Sequence, residues 1–245
     1  TVKSVNQYVK VPFPKRVIQV ACGWEHSVVL TVEGSVFVAG YGAKGQLGLD
    51  KDKLSCAEFN HLFLPAPIKQ VCCGVWFTLA LGEDEKVYGW GSNRDRCLSV
   101  EPIDSFFAPI ALNFISNVRK LVAGHRHVIA LKENETVFAW GDNRYQQITS
   151  YTGKVIDCFA GWHHTVLQVA ENEIFICGKN DYNQLAHADS SAKQNRLSFP
   201  VPIRSIAVGS DHSLVLLESG ELQSYGWNEH GVLGDDSNET RHGTI

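Results

Sequence analysis

Imidazole offers this chain its widest choice of chemistry, and its spacing is regular. His26, His127, His164 and His212 each stand three residues after a glycine. Four imidazoles in equivalent slots could ring a metal ion or pass protons. The second copy of the phrase argues against a metal. It carries Phe77, and phenylalanine cannot ligate, whereas a slot that packs and hydrogen-bonds tolerates it. The four histidines are therefore expected to be structural and mostly buried, each bonded to backbone of a neighbouring strand. His125 and His163, beside them, are expected to be exposed. No metal and no cofactor are expected.

Other chemistry finds little support. The chain has no Gly-x-Ser-x-Gly elbow, no phosphate-binding Gly-x4-Gly-Lys and no His-Glu-x-x-His,. The carboxylates Asp50, Asp52, Asp84, Asp181, Asp235 and Asp236 fall in loops and read as solvated. Seven cysteines are an odd number, and a disulfide framework needs pairs. Cys72 and Cys73 are neighbours on a strand and point to opposite faces. The thiols are read as reduced and packed as small hydrophobes. Asn134-Glu135-Thr136 and Asn238-Glu239-Thr240 match the glycosylation acceptor pattern, which matters only in a secreted protein. The chain is read as a non-enzyme.

The elements that position these residues repeat. The phrase Gly-x-x-His-(Ser/Thr), with variations, is always followed by a second glycine seventeen positions on: Gly23 and Gly40, Gly74 and Gly91, Gly124 and Gly141, Gly161 and Gly178, Gly209 and Gly226. Successive units lie 51, 50, 37 and 48 residues apart, so the core is fixed and the intervals are read as loops. Each core reads as a hairpin. Apolar runs such as Val128-Ile129-Ala130-Leu131 and Val137-Phe138-Ala139-Trp140 flank a polar turn, here Glu133-Asn134-Glu135. A third strand precedes each first glycine, as in Ile68-Lys69-Gln70-Val71. After the second glycine a turn phrase recurs, clearest at Gly42-Ala43-Lys44-Gly45-Gln46-Leu47-Gly48. Its small and amide residues suit a left-handed turn, and its leucine pins the loop to the hairpin. No apolar stripe of helical period appears, so almost no helix is expected. Strand repeats of this length imply a propeller or solenoid.

Ala21-Cys22-Gly23-Trp24-Glu25-His26-Ser27, Val208-Gly209-Ser210-Asp211-His212-Ser213, Gly40-Tyr41-Gly42-Ala43-Lys44-Gly45-Gln46-Leu47-Gly48 and Tyr225-Gly226-Trp227-Asn228-Glu229-His230-Gly231 together resemble the regulator-of-chromosome-condensation repeat family. The resemblance covers nearly the whole chain and implies an all-β fold, a β-propeller of seven blades. Five repeats are visible, so residues 1–245 are expected to form one propeller domain that is incomplete by about two blades. A self-contained five-bladed ring and closure by a partner are the alternatives. The Gly-Trp-Asn-Glu-His-Gly phrase is most similar to the α-tubulin-suppressor (killer-toxin-insensitivity) and secretion-regulating exchange-factor-like subgroups. The first would imply a small zinc protein as partner and a place in tRNA wobble or diphthamide modification. The founding activity of the family implies guanine-nucleotide exchange on a small GTPase. Two Gly-Trp-x-His phrases also resemble the family's light-sensing plant member, but Glu25 and His163 stand where that resemblance would require arginine.

Net charge is −4, with no basic run to follow a phosphate backbone,. No apolar stretch is long enough to span a bilayer. Nucleic acid and membrane are therefore not expected partners. A monomer of the cytoplasm, the nucleus or both is the expectation, acting as a scaffold that binds protein. The expected binding face is built from the loops after the second glycine: Arg94, Asp95 and Arg96; Arg144 and Tyr145; Asp181 and Tyr182; Trp227, Glu229 and His230. Arginine, tyrosine and tryptophan dominate interface hot spots. Glu25 and His163 are expected on the opposite face.

Overall fold

The computed structural model of the chain describes residues 10–148, 151–234 and 236. Asp235 and the Asn238–Thr240 phrase lie outside them. The described residues hold eighteen strands in five antiparallel sheets. The first sheet is β1 (Val17–Cys22), β2 (His26–Thr31), β3 (Val36–Tyr41) and β4 (Ser55–Leu62). The second is β5 (Ile68–Cys73), β6 (Phe77–Gly82), β7 (Val87–Ser92) and β8 (Ser105–Ala111). The third is β9 (Val118–Ala123), β10 (His127–Lys132) and β11 (Val137–Gly141). The fourth is β12 (Asp157–Ala160), β13 (His164–Ala170), β14 (Glu173–Gly178) and β15 (Gln194–Ser198). The fifth is β16 (Ile203–Val208), β17 (His212–Leu217) and β18 (Leu222–Gly226). Within each sheet neighbouring strands are consecutive in sequence. The inner strands β1, β5, β9, β12 and β16 abut in that order. These are five propeller blades side by side about one axis.

The fixed offset follows from two glycines with different duties. Each repeat residue at the histidine slot pairs across the hairpin with the second glycine: His26 with Gly40, Phe77 with Gly91, His127 with Gly141, His164 with Gly178, His212 with Gly226. All five second glycines have positive φ, between 105° and 128°. A side chain there would also strike the backbone of the opposing strand, so only glycine fits. At the first glycine the obstacle is the ring in the histidine slot, Phe77 in the second blade and histidine in the others, which lies where a Cβ would have to sit.

The core lies between blades. Val28, Leu30, Val36 and Val38 of the first blade pack on Val71, Ala80, Tyr88 and Trp90 of the second. Phe77, Leu79 and Leu81 pack in turn with Leu121, Val128 and Ala130 of the third. Turn loops reinforce the seams: the Trp90 indole N–H donates to the Gln46 carbonyl at 3.0 Å and that of Trp140 to the Cys97 carbonyl at 2.8 Å.

Three features depart from expectation. Fourth, outer strands β4, β8 and β15 occupy intervals read as loops. They form the outer edges of their sheets and are half-buried to exposed, and their sequences lack the regular apolar alternation of the inner strands,. The signal was in the spacing: the intervals of 51, 50 and 48 residues hold a fourth strand, and that of 37 does not. The fourth blade's inner strand starts at Asp157, not Val155. Finally, all seven cysteines are free thiols, but Cys22 is exposed rather than packed. Burial pushes the thiols of Cys73 and Cys158 up to about 12.

Candidate protein-binding face

The repeat histidines join neighbouring blades. His26 Nε2 lies 2.9 Å from Thr78 Oγ1, His127 Nε2 3.1 Å from Thr165 Oγ1, and His164 Nε2 3.3 Å from Ser213 Oγ. The partner is thus a hydroxyl of the next blade, not the backbone expected. That hydroxyl always follows the next blade's own repeat slot. Thr78 and Thr165 give their single proton to the carbonyls of Gln46 and Gln147. They must therefore accept from imidazole Nε2–H, which fixes the neutral tautomer. Burial lowers all three imidazoles to about 4. His212 is half-buried rather than buried, and its pKa is lowered by the same cause. Phe77 breaks the series and the reason is visible one blade on. Val128 stands where the hydroxyl would be, and the two pack in one apolar cluster.

A second set of ties links neighbouring blades through their first-glycine loops. The Trp24 amide donates to the Val75 carbonyl at 3.1 Å, Val75 to His125 at 2.9 Å, and Trp162 to Ser210 at 3.0 Å. A third joins inner strands: the Gln19 amide both donates to the Val71 carbonyl and accepts from its N–H, and Gln70 does the same with Leu121. In the third blade that slot is Lys120, which pairs with Asp157 at 2.5 Å.

These ties hold one end of the propeller, where two sets of loops meet. The amide after each second glycine donates to the carbonyl before each repeat slot: Tyr41 to Glu25, Ser92 to Trp76, Asp142 to Arg126, Lys179 to His163, Trp227 to Asp211. Glu25 and His163 therefore share a face with the predicted loops, which corrects the expectation that they lie opposite. The hairpin pairs the two loop positions directly, so they can only emerge together.

An aromatic chain runs over this end. Trp24 of the first blade meets Trp162 of the fourth, ring centroids 5.9 Å apart. His125 stacks on Trp162 at 5.1 Å, His163 stands edge-on to His125 at 5.6 Å, and Tyr145 to His163 at 5.1 Å. Lys179 lies over both Tyr145 and Tyr182, at 5.5 and 5.1 Å, and pairs with Asp181 at 3.1 Å. Tyr182 neighbours Trp227, which neighbours His230. Trp24 is 60% exposed, Trp162 40% and Tyr182 44%. His125 and His163 are half-buried rather than exposed. Burial lowers His125 to about 4, helped by the neighbouring Arg126 charge, and lowers His163 in the same direction.

The predicted residues divide. Tyr145, Asp181, Tyr182, Trp227 and His230 fall in this chain of contacts. Arg144 is tied down: its guanidinium grips buried Asp142 through Nε and Nη2, at 2.9 and 2.8 Å. Asp95 faces Arg126 at 3.8 Å, and Arg96 donates to the Glu101 carbonyl at 2.6 Å. Arg94 and Glu229 are exposed. Trp24, Trp162, His125, His163 and Lys179 were not among the residues predicted to bind. Their signal, an aromatic or histidine after the first glycine, was present but gave no hint that blades one and four meet across the axis. The loop amides Asn93, Asn180 and Asn228 are buried staples; Asn93 Oδ1 accepts from the Leu98 and Ser99 amides. Among the described residues, no group of three or more His, Cys, Asp or Glu is arranged to hold a metal ion.

Five tied blades with a loop face define a propeller of one class, and residues 3–244 match the RCC1-like domain, WD40_RLD. The chain belongs to the RCC1-like domain family. It is similar to the mouse X-linked retinitis pigmentosa GTPase regulator, 32% identical over 90% of this chain and 24% of that one. It is also similar to the regulator of chromosome condensation of Xenopus laevis, 24% identical over 94% of this chain and 51% of that one. The chain thus spans about half or less of these relatives' length. Among solved structures, human WBSCR16 superposes with a TM-score of 0.80 at 23% identity, covering 94% of this chain and 66% of that one. Prp20p of Saccharomyces cerevisiae, described with its binding to Gsp1p and histones, superposes with a TM-score of 0.79 at 24% identity, over 94% and 64%.

Proposed function

We propose that the protein is a non-enzymatic scaffold whose aromatic loop face binds a protein partner. The observation that supports this most is the run from Trp24 through Trp162, His125, His163, Tyr145, Lys179 and Tyr182 to Trp227. It is a partly exposed surface of hot-spot residue types on a rigid frame,. The loops that carry it are stapled by buried asparagines, so little ordering is required on binding. The test is capture from the source cell by the wild type and by Trp162→Ala with Tyr182→Ala. The double variant should unfold within a few degrees of wild type, since partly exposed side chains cost little. It should capture at least about tenfold less partner. Undiminished capture would refute this face. Arg144→Glu is a poor probe, because it would set a carboxylate against buried Asp142.

A second reading, a regulator or exchange factor of a small GTPase, draws support from two relatives. One is named a GTPase regulator and another is described with its binding to Gsp1p. Its test is GDP release from representatives of the small-GTPase subfamilies, where an acceleration of about tenfold or more on one of them is expected and none on any would remove it. The narrower reading, a small zinc protein as partner in tRNA wobble or diphthamide modification, rests on the Gly226–Gly231 phrase and would place that partner on Trp227 and His230. Zinc in the eluted partner, measured by mass spectrometry, tests it.

A further inference from the structure

A cavity of about 460 Å³ opens among the inner strands of the second, third and fourth blades. That volume lies in the range of small-molecule sites, roughly 300–1,000 Å³. Its wall includes Lys69 of β5, Arg119 and Lys120 of β9, and Ile156 and Asp157 of the fourth blade. Lys69 and Arg119 each stand five residues before a first glycine. At a rise of about 3.3 Å per residue, that is about 16 Å along the strand from the first-glycine loops. The cavity therefore belongs to the hairpin-turn end and is separate from the aromatic face.

Its charges do not cancel. The charged residues of the wall are three cations and one carboxylate. Lys120 is committed to Asp157, at 2.5 Å, and also lies over the Phe159 ring. Arg119 donates from Nη2 to the Ile156 carbonyl at 2.7 Å, which orients the guanidinium without neutralising it. Lys69 is exposed and, among the described residues, enters no ion pair. Outside the wall, Glu135 feels the Arg119 charge, but it is paired with Lys154 at 2.8 Å, and that ammonium is the main cause of its lowered pKa. Two positive charges on neighbouring blades are thus left to meet a ligand. A phosphate monoester carries a charge of about −1.5 to −2 at pH 7 and three acceptor oxygens. Guanidinium and ammonium groups both bind it through charge-assisted hydrogen bonds. A carboxylate or a sulfate ester brings a single charge and leaves one cation unmatched. The neighbouring turns restrict the size of the anion. Glu83 and Glu133 are exposed, and their amides donate to the carbonyls of Pro67 and Asn117, each two residues before Lys69 and Arg119. Their carboxylates would repel a polyanion laid across this end.

We propose that this cavity binds a phosphate monoester of a small organic molecule, with Lys69 and Arg119 holding the phosphate dianion and Ile156 packing against the organic part. The site lies apart from the aromatic face, so a protein bound there neither requires it nor supplies it.

Calorimetric titration of the intact protein at low salt with glucose 6-phosphate, inorganic phosphate, glucose 6-sulfate and glucose tests the site. Glucose 6-phosphate should bind once, with Kd of about 1 mM or tighter. Glucose 6-sulfate should bind at least about fivefold more weakly, because half the charge is gone, and glucose should not bind. Salt at about 0.5 M should weaken the phosphate ester. Lys69→Gln and Arg119→Gln should each weaken it about tenfold, the effect of losing a hydrogen bond to a charged group. Lys69→Gln should melt within a few degrees of wild type, since the side chain is exposed, and it carries the test if Arg119→Gln fails to fold. Equal binding of the phosphate and sulfate esters, unchanged binding in Lys69→Gln, or no saturable binding of either phosphate would overturn the proposal. A phosphoserine peptide that binds more tightly than glucose 6-phosphate, and loses that affinity in Lys69→Gln, would overturn the small-molecule occupant.

Discussion

Each buried repeat histidine is a neutral ring wedged between a glycine of its own blade and a hydroxyl of the next. Its ring fills the volume that the first glycine leaves empty, so glycine and histidine form one device. Because burial lowers His26, His127 and His164 to about 4, against about 6.5 in the unfolded chain, the unfolded state binds more protons between those values. Stability from these residues is complete above about pH 6.5 and is lost as pH falls towards 4. The full loss is up to about 3 kcal/mol per histidine. Urea unfolding at intervals from pH 7.5 to 5, where most carboxylates stay ionised, should show stability falling with acidity. His26→Gln keeps a donor without titrating and should make the fall shallower. A flat profile from pH 7 to 5 would contradict neutral burial.

Between elements, the same contact is made with interchangeable chemistry. Three blade junctions use imidazole and hydroxyl, and the junction between β6 and β10 uses Phe77 and Val128. A polar pair and an apolar pair fill the slot equally well, but a mixed pair leaves a buried polar group without a partner. Phe77→His alone and Val128→Thr alone should each destabilise by about 1–3 kcal/mol. Together they should recover much of the loss, with a coupling energy of at least about 1 kcal/mol in a double-mutant cycle. Simple additivity would mean that the two positions do not share a contact. The phenylalanine in the histidine slot argued from sequence against a metal. Its true partner, one blade away, needed the packing of the second blade against the third.

At the scale of the molecule, the blades leave two unlike ends. One gathers the loops after both glycines, with aromatic side chains over the axis. The other carries the hairpin turns, rich in glutamate at Glu33, Glu83, Glu85, Glu133, Glu135 and Glu171. Neither offers a continuous basic track, and net charge is −4. Counterion release, the main source of non-specific affinity for DNA, needs clustered cations. Fluorescence anisotropy with a labelled duplex at about 0.15 M salt should therefore show no binding at micromolar protein. Micromolar affinity that falls steeply with salt would contradict this.

Local spacing was enough to determine the hairpins, their turns, the inner strands and the glycines, because each depends on residues within one repeat: a backbone at positive φ, a ring over a missing Cβ, an alternation of two. The loops carrying Tyr145, Tyr182 and Trp227 could be placed on one end for the same reason. Contacts between repeats were not available from spacing. That His26 would bind Thr78 rather than backbone, that Arg144 would be held by Asp142, and that Trp24 would reach Trp162 across the axis all depend on how sheets twist and stack. Sheet twist sets which side chains from distant blades share a volume. The loop face exists only once the blades have packed side by side, and it was the tertiary structure that decided it.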